Sequence, residues 1–335
     1  MTELPLLALI PIYNDWEAVS LLLPKLDLAL SGAGLGARVV LVDDGSTLPA
    51  PANVGNATYE AIETVEVLEL RRNIGHQRAI AVALAYAEDR VKPRAVLVMD
   101  GDGEDAPEDV PRLIAKLGES GGSKVIFAER TRRSETPLFR AFYHTYRLVH
   151  VLLTGIPVRV GNFSVVPARQ LTRLVVISEL WNHYAAAVFK ARLPHDVVPT
   201  SRATRLSGRS RMNFVSLVSH GLSALSVHAE LIGVRLMVMT AVLISSVCAL
   251  LGVVLIVRMA TPLGIPGWAT TTAGILVVVL LQAMAFLVMF VFMVLHGRSQ
   301  PLFIPLRDYP YFVAGVRSIF PPTLKVSLGQ MSGHV

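Results

Sequence analysis

The chain has 335 residues, 53% of them hydrophobic, and a mean hydropathy of +0.53, which excludes an ordinary water-soluble enzyme. Its single cysteine, Cys248, excludes an intramolecular disulfide. The formal charge of +6 conceals a division: residues 1–123 carry 10 basic and 19 acidic side chains, and residues 124–211 carry 15 basic and 4 acidic.

Taken in chain order, Glu3 stands where a signal peptide has basic residues, and the apolar run from Leu4 ends in Tyr-Asn-Asp without a small-residue cleavage site; this reads as a cytoplasmic start. Leu6–Ile12 and Arg38–Val42 are β-rich runs. Between them, Val19, Leu22, Leu23, Leu26 and Leu30 recur at helical spacing. Val65–Leu70 predicts a third strand, Gln77–Glu88 an Ala-rich helix and Ala95–Met99 a fourth strand. Pro107–Leu117 predicts a helix and Lys124–Ala128 a fifth strand. This alternation points to a mostly parallel α/β sheet covered on both faces, whose ligands bind at the carboxyl ends of the strands.

From about Ser134 the pattern turns helical, with an aromatic and basic stretch at Phe139–Val151 and a short strand within Gly161–Pro167. Asn213–Gly233 predicts an amphipathic helix with Ser216, Ser219, Ser223, Ser226 and Glu230 on one face, suited to a membrane interface. No charged residue stands between Arg235 and Arg258, or between Arg258 and Arg298, so two spans are expected at about Leu236–Val257 and Thr271–Leu295. Arg235 and Arg298 flank one side and the short loop Arg258–Thr270 the other, which puts both termini inside. The division is thus 1–212, a cytoplasmic α/β domain; 213–235, a juxtamembrane helix; 236–298, two spans; and 299–335, a Pro-interrupted cytoplasmic tail too short to span again. A pI of about 9.6 raises nucleic acid as a partner. The basic block abuts the membrane segments, however, so anionic lipid fits and no nucleic acid is expected.

Three polar clusters follow predicted strands. The first is Pro11-Ile-Tyr13-Asn-Asp15, the second Asp43-Asp44-Gly45-Ser46, and the third Asp100-Gly101-Asp102-Gly-Glu104-Asp105. In the third, a glycine between two carboxylates lets them approach one point. Four acids in six residues repel one another unless a cation neutralises them, and hard oxygen donors suit Mg²⁺ or Mn²⁺ completed by diphosphate oxygens. Asp43 and Asp44 offer carboxylates to a base or ribose, and Gly45 permits close backbone approach. No histidine stands in any of the three clusters.

In this order and spacing the clusters resemble the family 2 inverting glycosyltransferases of GT-A fold, a Rossmann-like mixed, mostly parallel sheet flanked by helices. Arg71-Arg-Asn-Ile-Gly75 looks like that family's loop before the metal motif. The run Asp100 to Glu108 is similar to that of the polyprenyl-phosphate glycosyltransferases, a subgroup that includes the dolichol-phosphate mannose synthases. Arg202-x-x-Arg205-x-x-Gly208-x-Ser210-Arg211 resembles the subgroup's Arg-rich motif, and its bacterial members with two C-terminal spans match the architecture. Glu104 replaces the usual Gln, and Asn162 stands where the subgroup commonly has Asp. The processive synthases' Gln-x-x-Arg-Trp motif is missing, which argues for one sugar per acceptor.

The resemblance implies a metal-dependent, inverting transfer from a UDP- or GDP-linked sugar to a polyprenyl phosphate or another membrane lipid. The enzyme would sit in the cell inner membrane as a multi-pass protein with its catalytic domain cytoplasmic; a homo-oligomer is compatible with this. Donor binding is expected from Pro11, Tyr13, Asp15, Asp43, Asp44, Gly45, Ser46, Asp100 and Gly101, and metal binding from Asp100, Asp102 and Glu104. Arg130, Arg132, Arg140 and Arg205 are candidates for the acceptor phosphate. Asp102, Arg130, Arg202, Arg205 and Arg211 are expected to carry the catalysis. A lipid phosphate, with a second pKa near 6, is already a dianionic nucleophile and requires no general base. Two other classes stay open: a sugar nucleotidyltransferase, which would want a Gly-rich phosphate loop where Tyr13-Asn-Asp stands, and a catalytically idle membrane scaffold.

Overall fold

The structure is a computed structural model that describes residues 6–51, 54, 58–130, 148–155, 160–208, 214–261, 267–299 and 303–321. It divides into two compact units. The first comprises residues 1–139, 159–227 and 303–335; the second comprises 140–158 and 228–302.

The first unit is built on strands β1 Leu6–Ile12, β2 Ala37–Asp43, β3 Ile62–Leu70, β4 Ala95–Val98, β5 Val125–Arg130, β6 Ser164–Pro167, β7 His195–Thr200 and β8 Val313–Phe320. They form one sheet in the order β7-β5-β6-β4-β1-β2-β3-β8. Pairs β1–β2, β1–β4, β2–β3 and β5–β7 are parallel; β4–β6, β5–β6 and β3–β8 are antiparallel. The mixed, mostly parallel sheet expected from the sequence is what forms.

Alternation along β1 sends Leu7 and Leu9 into the core on one face of the sheet, and Ala8, Ile10 and Ile12 into the core on the other. The second core takes helix α1 (Trp16–Ser31), which contributes Val19, Leu22, Leu23, Leu26 and Leu30 at helical spacing. The first core takes helix α2 (His76–Tyr86), whose alanines at 79, 81, 83 and 85 are buried all round and let it lie close to the strands. Asp27 is buried on α1 and accepts from the N–H groups of Glu60, Ala61 and Ile62 at 2.8–3.0 Å, fixing where β3 begins. Helix α3 (Val110–Glu119) follows a 3₁₀ turn at Pro107–Asp109. Its Val110 and Leu113 join the second core, whereas the short helices α4 (Ala168–Leu174) and α5 (Tyr184–Lys190) pack into the first.

Two elements depart from the sequence reading. The segment after residue 299, read as a tail, supplies β8 and packs Tyr309 into the core, its hydroxyl donating to Asp89 at 2.5 Å. The interfacial helix, expected to run to Gly233, stops at Ser226 as α6 (Phe214–Ser226); a new helix then starts at Ala229.

In the second unit, α7 (Ala229–Ala260) and α8 (Trp268–Ser299) pack along each other through Val247, Val254 and Leu276, with Gly233 against Val294. At 1.5 Å per residue each is about 48 Å long, more than the ~30 Å apolar core of a bilayer. Ala229–Ala260 and Trp268–Gly297 are long and apolar enough to cross a membrane. Their large apolar side chains are mostly exposed, among them Met239, Val242, Met259, Phe286 and Phe292, so these are not core helices of a water-soluble domain. Residues 148–154 are helical; Arg235 Nη1 donates to the Leu152 carbonyl at 3.2 Å.

Candidate active site

All three polar clusters stand at the carboxyl ends of adjacent strands β2, β1 and β4, as the sheet rule requires. Asn14, at φ 58°, turns the chain out of β1. Its Oδ1 accepts from the N–H groups of Thr47 and Leu48 at 2.9 and 2.8 Å, while its own N–H donates to Ser46 Oγ at 2.8 Å. Asp43 Oδ1 accepts from the Ser46 N–H at 2.8 Å. The two clusters are therefore one hydrogen-bonded turn.

Asp44 points the other way. Its Oδ1 and Oδ2 accept from the N–H groups of Ile74 and Gly75 at 2.7 and 2.9 Å, at the entry to α2, and only 3% of the residue is exposed. Burial pushes its carboxyl above the ordinary value, against those two N–H groups. Both oxygens thus hold a loop. Gly45 lies against that same loop at φ 70°, where a Cβ would meet Asn73 N at 2.6 Å.

The acidic loop is held from both sides. Asp105 Oδ2 accepts from the Asp100 N–H at 2.9 Å, and Asp102 Oδ1 from the Glu104 N–H at 2.9 Å. Gly101 packs on Ile10, Ile12 and the Pro11 carbonyl; Gly103, at φ 82°, packs on Leu206. Segment 201–208 runs alongside, its Ala203 and Leu206 N–H groups donating to the carbonyls of Glu104 and Asp102 at 3.0 Å. That pairing brings Arg202 onto Glu104 and Arg205 Nη2 to 2.7 Å from Asp102 Oδ2, with Arg205 Nη1 3.9 Å from Asp15 Oδ1. Burial, then the Asp100 carboxylate, push Asp102 above its ordinary value even with Arg205 beside it.

The fold adds a histidine that the linear clusters lack. His76 Nε2 lies 3.1 Å from Asp100 Oδ1. Burial opposes its protonation, but the carboxylates of Asp100, Asp105 and Asp102 outweigh it and hold the imidazole above its ordinary value. Asn162 Nδ2 is 3.0 Å from the same nitrogen. Asn162 Oδ1 accepts from Gln77 Nε2 at 3.1 Å, and Gln77 Oε1 from the Tyr184 N–H at 2.8 Å. The one signal in the sequence was a polar pair, His76-Gln77, opening an otherwise Ala-rich buried helix.

Among the described residues no group of three or more His, Cys, Asp or Glu side chains forms a ready-made metal cage. The donor set still fits a hard divalent cation: Asp100 and Asp102 are oxygen donors crowded by like charge, and Mg²⁺ takes one or two carboxylates with phosphate and water completing its shell. Of the other expected residues, Tyr13 is half-buried beside this turn and Arg130 ends β5. Arg132, Arg140 and Arg211 lie outside the described residues.

Residues 8–171 match the profile of Glycosyl transferase family 2. This segment is a family 2 glycosyl transferase domain. The chain is also 26% identical, over 218 residues, to the undecaprenyl-phosphate 4-deoxy-4-formamido-L-arabinose transferases of Salmonella paratyphi B and Salmonella newport, a match covering 63% of this chain and 63% of each relative. The chain thus spans under two thirds of the length of those curated relatives. Among solved structures, it is similar to glucosyl-3-phosphoglycerate synthase from Mycobacterium tuberculosis in complex with Mn²⁺ and UDP-glucose, with TM-score 0.49 and 15% identity over 69% of this chain and 80% of that one. Mannosyl-3-phosphoglycerate synthase from Rubrobacter xylanophilus gives TM-score 0.45 and 16% identity over 68% and 73%. The family 2 domain covers the three clusters, His76 and Asn162; Arg202, Arg205 and β8 come from beyond it.

Proposed function

We propose that this chain is a membrane-bound glycosyltransferase that moves one sugar from a nucleoside-diphosphate sugar to a polyprenyl phosphate, with inversion at the anomeric carbon. The observation that carries the reading is the meeting of Asp102 and Glu104 with Arg205 and Arg202 at the carboxyl end of the sheet. A cation-seeking subsite and an anion-seeking subsite touch there, as transfer between two phosphates demands. The family 2 domain, the polyprenyl-phosphate relatives and the two apolar helices support the same reading.

In this reading the turn of Asp43 and Ser46 takes the nucleoside. Asp100 and Asp102 would hold Mg²⁺ or Mn²⁺, which would supply positive charge for the departing diphosphate, while Glu104, expected from the sequence as a third ligand, is taken up by Arg202. His76 orients Asp100. The planar fork of Arg205 bonds Asp102 through one Nη and can offer the other to the acceptor phosphate, while Arg202 adds charge beside it. The acceptor phosphate is dianionic near neutral pH and attacks without a base. Arg235 and Arg298 at the same ends of the two apolar helices support an orientation with both termini in the cytoplasm and residues 258–270 outside.

The test is to reconstitute the full chain in liposomes with undecaprenyl phosphate and supply radiolabelled UDP- and GDP-sugars, with and without EDTA. The reading requires label in the lipid phase and its loss with EDTA. Label that stays in water with every donor refutes it.

A further inference from the structure

An open cleft of about 510 Å³ lies beside the Asp43–Ser46 turn, lined by Trp16, Asp43, Ser46, Leu48, Glu69 and Arg317 among others. Asp43 and Glu69 are partners in the β2–β3 register, so they stand side by side at the carboxyl end of the sheet. Arg317 comes from β8, where it pairs with Val67 and thus sits diagonal to Glu69 on the next strand. Trp16 is buried and donates its Nε1–H to the Leu48 carbonyl at 3.0 Å, which fixes the opposite wall.

The chemistry of this wall is directional. Arg317 Nε donates to Glu69 Oε1 at 2.6 Å, which orients the guanidinium plane and leaves its remaining N–H donors on the two Nη groups. Asp43 uses Oδ1 on the Ser46 N–H, and its other oxygen retains acceptor capacity. The cleft therefore presents a carboxylate acceptor and an arginine donor together. Their complement is a ring edge with an N–H next to a C=O, as in uracil or guanine. Cytosine and adenine carry an amino group in place of that keto oxygen and would turn a donor toward the guanidinium. A plain cross-strand ion pair is the competing account, and a half-exposed pair of this kind contributes little on its own.

We infer that Arg317 is a specificity-determining residue of the donor site, reading the keto oxygen of the nucleobase while Asp43 accepts from the adjacent ring N–H. The inference rests on the donor reading given above, and it makes the strand that follows the second apolar helix a working part of the nucleotide cleft.

Calorimetric titration of the full chain in detergent with UDP, GDP, CDP and ADP, each with Mn²⁺, tests it on wild type, Arg317→Ala, Arg317→Lys and Asp43→Asn. Wild type should prefer a keto base over CDP and ADP. Arg317→Ala should lose about 10- to 100-fold for that nucleotide, the worth of one hydrogen bond to a charged group, with CDP and ADP little changed. Arg317→Lys keeps the charge beside Glu69 but not the fork; it controls for loss of β8 and should also lose keto preference. If Arg317→Ala and Arg317→Lys bind UDP and GDP as wild type does while Asp43→Asn fails, the inference is wrong and the donor reading stands. An equal loss for all four nucleotides makes Arg317 a support for the strand and also overturns the inference. If wild type binds none of the four, both readings fall.

Discussion

Asp44→Asn separates a ligand contact from a structural one at the position where they look most alike. Both carboxylate oxygens accept backbone N–H groups, from Ile74 at 2.7 Å and Gly75 at 2.9 Å, in a residue that is almost fully buried. Asparagine keeps the shape but offers one oxygen, and its amide N–H₂ must face an N–H. One buried donor then loses its acceptor and a second is set against it. At about 1–3 kcal/mol for each unsatisfied buried group, the change should cost roughly 2–5 kcal/mol. In a domain of this size that lowers Tm by roughly 5–15 °C. Hydrogen exchange by mass spectrometry on residues 71–78 of the full chain reads the same event locally. The Ile74 and Gly75 amides should exchange much faster in the variant, and Asp43→Asn should leave them as in wild type. Wild-type exchange and Tm in Asp44→Asn, together with lost donor binding, would show that Asp44 faces the ligand and that the loop is held by something else.

Arg205→Lys keeps the charge beside Asp102 but loses the planar fork; the KM for polyprenyl phosphate should rise about tenfold or more with donor binding intact, and wild-type transfer at low acceptor would argue for a simple basic collar. Gly45→Ala places a Cβ 2.6 Å from Asn73 N at φ 70°, adding about 1–2 kcal/mol of left-handed strain to the overlap; thermal unfolding several degrees lower is expected, and an unchanged Tm would contradict the close approach. Lys190→Met removes the ammonium 2.6 Å from Glu179. Burial works to raise Glu179, but Lys190, joined by the residue's own backbone N–H and by Ser178, outweighs it and holds the carboxyl below its ordinary value, so the pair's stabilisation, about 0.5–1 kcal/mol for a part-exposed pair, is present above the unfolded value near 4.3 and disappears as pH falls through the lowered folded value. Unfolding midpoints of the two proteins should differ at pH 7 and converge at low pH; a gap unchanged by pH would exclude the ion pair as its cause.

The parts of this molecule that could be read from sequence are those set by short-range pattern. Apolar runs gave β1 to β5, and the spacing of Val19, Leu22, Leu26 and Leu30 gave α1. Uncharged length gave α7 and α8, although their ends run beyond the apolar stretches because a helix continues until its backbone is capped or broken. Strand β8 was hidden because its partner β3 lies some 250 residues earlier, and Val313–Phe320 bears no strong alternation of its own. The end of α6 at Ser226 was hidden because neither Gly nor Pro marks it. In the site, the clustering of acids was visible, but their orientation was not. Asp43 and Asp44 are adjacent and chemically identical, and only the fold shows that one lines a cleft while the other binds backbone. His76 reaches Asp100 across 24 positions of sequence, a distance over which no periodicity carries information.

If the Asp100–Asp105 loop is the catalytic centre of a metal-dependent transfer to a lipid phosphate, removing one of its charges must slow the transfer itself. The quantity to measure is the rate of sugar transfer from the preferred nucleotide sugar to undecaprenyl phosphate by wild type and Asp102→Asn, in the same liposomes at saturating Mn²⁺. Asp102→Asn should be slower by roughly 10²–10³-fold, the worth of a contact made to transition-state charge, with the sheet's thermal transition retained. Turnover by Asp102→Asn at the wild-type rate would exclude the loop as the catalytic centre.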